Sequence, residues 1–108
     1  MEINRSGLSE IKIRFADEKD IDRLVELTEL WVSVDRKEKR IMLEKCMKLP
    51  NFHVLLAENN TGLLVGFIAV YIIHRWVNLN VVLDMDTIFV HPKYRNRGIL
   101  RKLCEEFS

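Results

Sequence analysis

The residues of this chain best suited to chemistry lie between Thr87 and Leu103. An apolar run ends at Val90, and His91-Pro92 stops it. Lys93, Tyr94, Arg95, Asn96 and Arg97 follow, then Gly98, then Ile99, Leu100, Leu103, Cys104 and Phe107 at helical spacing. This reads as strand, short basic loop and helix. A turn that joins a strand to a helix start points free backbone N–H groups outward, and those groups with the helix dipole bind phosphate oxygens. Gly98 has no Cβ, so the backbone there can come close to a ligand. Arg95, Arg97 and Arg101 add positive charge around the same point. The ligand chemistry that suits this turn is a pyrophosphate.

The elements that must position this turn follow from periodicity. Ile11, Ile13 and Phe15 alternate with Lys12 and Arg14, a short half-buried strand. Asp17 can cap a helix with Asp20 three residues on, and Ile21, Leu24, Val25, Thr28, Trp31 and Val32 give its apolar stripe. A second helix is expected from Asp35 to Lys48, with Ile41, Met42, Cys46 and Leu49 as its apolar face and Pro50-Asn51 as its end. Phe52 to Glu58 reads as a strand, Asn59 to Gly62 as a tight connection, and Leu63 to His74 as a central strand. Gly66 inside that strand marks a bulge or a close backbone approach. Val81 to Val90 is the last strand. The order is β-α-α-β-β-β-α, an α+β fold with a mixed, mainly antiparallel sheet. A polar tail covers residues 1–10 and one domain covers 11–108.

Composition excludes several classes. The 108 residues are 48% hydrophobic and 31% charged, with formal net charge +1. Nothing global therefore draws the chain to nucleic acid or to a membrane. The acidic residues of the first helix and the basic stretches Arg36 to Lys48 and Lys93 to Lys102 balance one another. Met1 to Ser9 lacks the apolar centre of a signal peptide, and Leu63 to Ile73 is too short to span a bilayer as a helix. Cys46 and Cys104 form neither a disulfide framework nor a zinc motif and read as core residues, so a cytoplasmic setting is expected. His53, His74 and His91 are too scattered to suggest a metal site.

The segment Val90-His91-Pro92, Lys93-Tyr94-Arg95, then Arg95-Asn96-Arg97-Gly98-Ile99-Leu100 resembles the acetyl-CoA signature of the GNAT family of N-acetyltransferases. The family pattern is Gln or Arg, two residues, Gly, one residue, Gly or Ala; Leu100 stands here in place of the last small residue. Ile13-Arg14-Phe15-Ala16 with Asp20-Ile21 and Leu24 is similar to the family's first strand and helix, and Leu64-Val65-Gly66-Phe67-Ile68 to its third strand. The resemblance runs from about Ile11 to Phe107.

It implies acetyl-CoA as co-substrate, no metal, and direct transfer of acetyl from the thioester to a primary amine. Backbone groups of Ile88, Phe89 and Val90 would pair with the pantetheine arm. Amides of Asn96, Arg97, Gly98, Ile99, Leu100 and Arg101 would cradle the pyrophosphate beside Arg95, and an amide near Ile88 or Phe89 would polarise the thioester carbonyl. Family members often carry a carboxylate at the place of Asp86, which would take the amine proton through a water. Alternation puts Asp84, Asp86, Ile88 and Val90 on one strand face, and the residues alone also allow both aspartates to face solvent. Trp31 reads as packing, with acceptor recognition as the alternative, and Trp76 as a loop residue able to line a substrate pocket. GNAT domains continue with a further strand, a helix bearing a tyrosine acid, and a closing hairpin. Neither Tyr71 nor Tyr94 matches that tyrosine, and the helical pattern is still running at Ser108. The expectation is an incomplete domain, completed by a second chain or paired as a homodimer. A non-catalytic acyl-CoA-binding or assembly module is the alternative function.

Overall fold

The computed structural model describes residues 11–106; the polar tail and Phe107 lie outside them. Four antiparallel strands form one sheet in the order β1-β2-β3-β4: β1 Lys12–Phe15, β2 Phe52–Glu58, β3 Leu64–Arg75 and β4 Asn80–Val90. Helices α1 (Ile21–Thr28) and α2 (Arg36–Met47) cover one face, and α3 (Ile99–Glu105) packs on the other. The expected order of elements is the observed one.

The period of two in β2 decides which side chain goes to which layer. Phe52, Val54 and Leu56 join Leu24, Leu27, Phe67, Ala69 and Phe89 under α1. Leu55 and Ala57 join Val65, Ile68 and Val70 under Ile99 and Leu103 of α3. Burying each such side chain is worth about 1.5–3 kcal/mol, so two shared cores hold one central strand pair. Asp17 caps the turn Glu18–Asp20 that leads into α1: its side chain accepts from Lys19 N, and Asp20 accepts from Asp17 N at 2.9 Å.

Asp20 is only 2% exposed and is paired rather than stranded. Arg14 donates to both its oxygens at 2.9 and 2.8 Å and to both oxygens of Glu58 at 3.1 Å. Arg23 reaches Glu58 at 2.8 Å and the carbonyl of Gly62 at 3.0 Å. The Arg14 hydrogen bonds hold both carboxyls below the usual carboxylate range against the opposing effect of burial. This network ties β1, α1, β2 and the following turn together.

Apolar assignments differ from expectation in four elements: Phe15 of β1 is 58% exposed, α1 ends at Thr28 so that Trp31 and Val32 fall on the connection to α2, and α2 and α3 present other faces than expected. In α2 the packed residues are Leu43, Cys46 and Met47, while Ile41, Met42 and Leu49 are exposed. The helix is rotated so that Lys39, Arg36 and Arg40 reach α1 and the connection after it, Lys39 bonding Thr28, Arg36 pairing with Glu29 and Arg40 with Asp22. In α3 the buried pair is Ile99 and Leu103, four residues apart, which turns Cys104 out to solvent. Gly66 is a close approach: a Cβ there would stand 3.0 Å from the Phe89 carbonyl oxygen.

Candidate functional site

β4 carries the site, and a bulge divides it. Ala69 pairs with Thr87 but Val70 pairs with Met85, so Asp86 is an extra residue opposite no partner. Two residues then share one side of the strand and alternation breaks. Asp84, Asp86, Ile88 and Val90 therefore do not share a face. Ile88 and Val90 pack towards α3, while Asp86 and Thr87 line a pocket under α1 and α2, and Asp84 lies opposite Tyr71. Thr87 Oγ1 donates to Asp86 Oδ2 at 2.7 Å.

Beyond the bulge the phase of the ladder is fixed by one bond. His91 N donates to Val65 O at 2.7 Å. In an antiparallel pair, bonded positions alternate, so Phe89 exchanges bonds with Phe67 while Ile88 and Val90 turn their N–H and C=O groups away from β3. The Val90 carbonyl is met on that outer side by Arg95 Nε at 2.9 Å. Phe89 contributes its ring instead: Trp31 stacks on it at 5.4 Å and 12°, and the Arg95 guanidinium sits 5.4 Å from its centroid.

The turn after β4 is built by local rules. His91 caps a single 3-10 turn, Pro92–Tyr94, by accepting from Lys93 N. Asn96 (φ 64°) and Gly98 (φ 80°) both take left-handed backbone, and α3 begins at once. The N–H groups of Asn96, Arg97, Gly98, Ile99, Leu100 and Arg101 have no acceptor among the described residues. Six donors around a residue without a Cβ fit a pyrophosphate.

A cleft of about 580 Å³ runs beside this turn. Of the ten residues expected to hold the co-substrate, Ile88, Phe89, Val90, Arg95, Asn96, Gly98, Ile99 and Leu100 line it. Arg97 and Arg101 do not; Arg97 lies over the Tyr94 ring at 5.3 Å. Trp31 and Tyr94 line the cleft and were not expected there. The sequence carried no signal for this role of Trp31, whose helical spacing placed it in the stripe of α1, while α1 ends at Thr28. The α1–α2 connection holds it in reach of Phe89, because Lys39 Nζ clamps that connection through Thr28 Oγ1 (2.9 Å) and Val32 O (3.0 Å). Trp76 is far out on the β3–β4 hairpin and lines neither cavity.

Trp31 also walls a second, smaller cavity of about 280 Å³ on the α1–α2 face, whose floor holds Asp86 and Thr87. Tyr71, next to it in the sheet, is pushed up to about 12 by its contact with Cys46 Sγ at 3.6 Å and by burial. Among the described residues no group of three or more His, Cys, Asp or Glu could hold a metal ion, and no helix is long and apolar enough to cross a membrane.

A family model described as an acetyltransferase (GNAT) domain matches residues 50–108. No curated protein matches the chain. Among solved structures it is similar to a ribosomal-protein-alanine N-acetyltransferase from Brucella melitensis biovar Abortus, with 22% identity, 90% of this chain and 68% of that chain covered, and a TM-score of 0.74. A GNAT family acetyltransferase from Staphylococcus aureus gives 17%, 92%, 78% and 0.77 in the same order. An aminoglycoside N-acetyltransferase in complex with CoA gives 23%, 89%, 65% and 0.76.

Proposed function

The chain belongs to the GNAT acetyltransferase family, whose chemistry is acetyl transfer from acetyl-CoA, and from that premise we propose that it passes the acetyl group directly to a primary amine. The observation that carries the reading is the turn Asn96 to Arg101, with six unpaired amides, four of them on cleft-lining residues (Asn96, Gly98, Ile99 and Leu100), beside an edge where the Ile88 N–H and C=O and the Val90 N–H turn away from β3.

On this reading the amides around Gly98 hold the pyrophosphate, and Ile88 and Val90 pair with the pantetheine arm. Phe89 packs its ring against that arm, and Arg95 adds charge at the turn. Arg97 and Arg101 act through their backbone amides. Ile88 N–H, at the start of the open edge, donates to the thioester carbonyl oxygen and stabilises the charge that grows there. Asp86 sits two residues before it and takes the proton that the amine gives up, through a water. The amine nitrogen bonds to the acetyl carbon, and the carbon–sulfur bond breaks with its electron pair on sulfur. Placing both groups on one strand makes positioning the main catalytic effect.

Calorimetric titration with acetyl-CoA tests the binding half. Saturable binding is expected, lost about 100-fold or more in Gly98→Asp, whose carboxylate would face the phosphates from left-handed backbone. Asp86→Asn tests the chemistry: turnover falls about 100-fold while acetyl-CoA affinity holds. Unchanged turnover in that variant would mean that Asp86 is not the base.

A partner chain and a cytoplasmic setting belong to the same proposal. Trp76 and Leu79 at the tip of the β3–β4 hairpin are 85% and 89% exposed, beside exposed Val77 and Val81. An apolar tip of this kind suits cover by a second copy. Sedimentation at rising concentration is expected to show a dimer; a concentration-independent monomer contradicts it. Both cysteines are free thiols, as a reducing compartment would keep them.

A further inference from the structure

We infer that the amine acceptor is a monoamine carrying one compact apolar group, seated in the pocket between α1, α2 and the bulge of β4. This deepens the acetyltransferase reading and rests on it. The walls are Leu24, Val25, Trp31, Leu43, Phe67 and Ala69, with Val32 and Val34 at the α1–α2 connection. About 280 Å³ is the size of one small ring or branched chain and lies just below the usual range for small-molecule sites.

Charge sets how many amino groups enter. Among the described residues two charged side chains line the pocket, Asp86 and Lys39. Asp86 Oδ2 is taken by Thr87, but Oδ1 has no partner among the described residues. It can anchor one ammonium group through the water that carries the amine's proton. Lys39 is fixed by Thr28 and Val32 and repels any second cation. Among the described residues a polyamine or an aminoglycoside would meet one carboxylate, one lysine, two threonines and otherwise apolar walls, so its further ammonium groups gain no anionic partner while Lys39 opposes them. Location supports the same assignment. Asp86 and Thr87 lie in the pocket, the next residue, Ile88, lies in the cleft, and Trp31 lines both. An amine held by Asp86 therefore stands beside the backbone edge that would hold the thioester.

The test is calorimetry on the full chain, with and without saturating CoA, using 2-phenylethylamine, isoamylamine, spermidine and kanamycin as titrants. The two monoamines are expected to bind at least about 10-fold more tightly than spermidine or kanamycin. Val34→Phe fills the rim from a position already 51% exposed. It should weaken 2-phenylethylamine by about 10-fold or more and leave acetyl-CoA binding intact, which also shows that the variant is folded. Spermidine or kanamycin binding as tightly as the monoamines, absence of monoamine binding in both states, or Val34→Phe binding 2-phenylethylamine normally, each overturns the inference. Monoamine binding without acetyl-CoA binding would instead remove the proposed function and keep the ligand class of the pocket.

Discussion

The two cavities that meet at Trp31 are built by different means. The cleft is made from one continuous stretch, Ile88 to Leu100, plus Trp31, and its polar groups are mostly backbone. The pocket is assembled from side chains of residues between Leu24 and Thr87 that lie on five elements. Backbone recognition tolerates changes of side chain and fails when the path of the chain changes. Side-chain recognition does the reverse. The cleft should therefore resist truncations that empty the pocket, and break at glycines.

The largest expected effect tests what holds the pocket's wall. Asp20→Ala removes the buried partner of Arg14 and cuts the tie from the start of α1 to β1, leaving Arg23 to hold α1 to Glu58 of β2. Losing these charge-assisted hydrogen bonds costs about 1.5–3 kcal/mol, since the Arg14 left behind is 38% exposed and keeps Glu58. Denaturant unfolding would measure it, and monoamine affinity should fall further than acetyl-CoA affinity. Acid gives the same test without mutation. The folded-state pKa values of Asp20 and Glu58 are depressed, so their stabilisation is complete above the unfolded carboxylate values near 4 and is lost as pH falls through the lower folded values. The melting temperature should drop steeply over that acid window, and less steeply in Asp20→Asn, whose position no longer titrates.

Gly66→Ala comes next. Its Cβ meets the Phe89 carbonyl at 3.0 Å, so the edge of β4 must yield by a few tenths of an ångström. Overpacking of this sort costs about 1–3 kcal/mol, and acetyl-CoA affinity should fall while the pocket keeps its monoamine. Equal loss at both sites would break the distinction between them. Trp31→Ala should weaken both ligands by about 10-fold, since the ring is 54% exposed and its stacking on Phe89 is worth about 0.5–1.5 kcal/mol. Leu100→Ala should be smallest, within about 3-fold on acetyl-CoA, because Leu100 offers the cleft its amide and its side chain is 40% exposed.

The same contrast explains what the sequence revealed. Gly98, Pro92 and the end of β4 are local signals, each fixed by its own φ restriction or missing donor, and they placed the turn to within a residue. The bulge left no such mark: Asp86 and Thr87 are ordinary strand residues, and the register between Val70 and Met85 comes from packing against β3. Strict alternation therefore misassigned the face of Asp86. The rotation of α2 was hidden for a similar reason. Ile41 and Met42 are as apolar as Leu43 and Met47, and the observed rotation goes with contacts distant in sequence: the ion pairs to Glu29 and Asp22 and the Lys39 hydrogen bonds to Thr28 and Val32. The role of Trp31 depended on where the α1–α2 connection ends in space, which Lys39 decides from eight residues away.

The most direct test of the central claim is a nitrogen–proton correlation spectrum of the labelled chain titrated with acetyl-CoA. The largest amide shifts should fall on Asn96 to Arg101, with Ile88 and Val90 next and Phe89 small, because the first six N–H groups lack acceptors, Ile88 and Val90 face the open edge, and Phe89 is bonded to β3. Shifts confined to the α1–α2 face, or none at saturating acetyl-CoA, would contradict it.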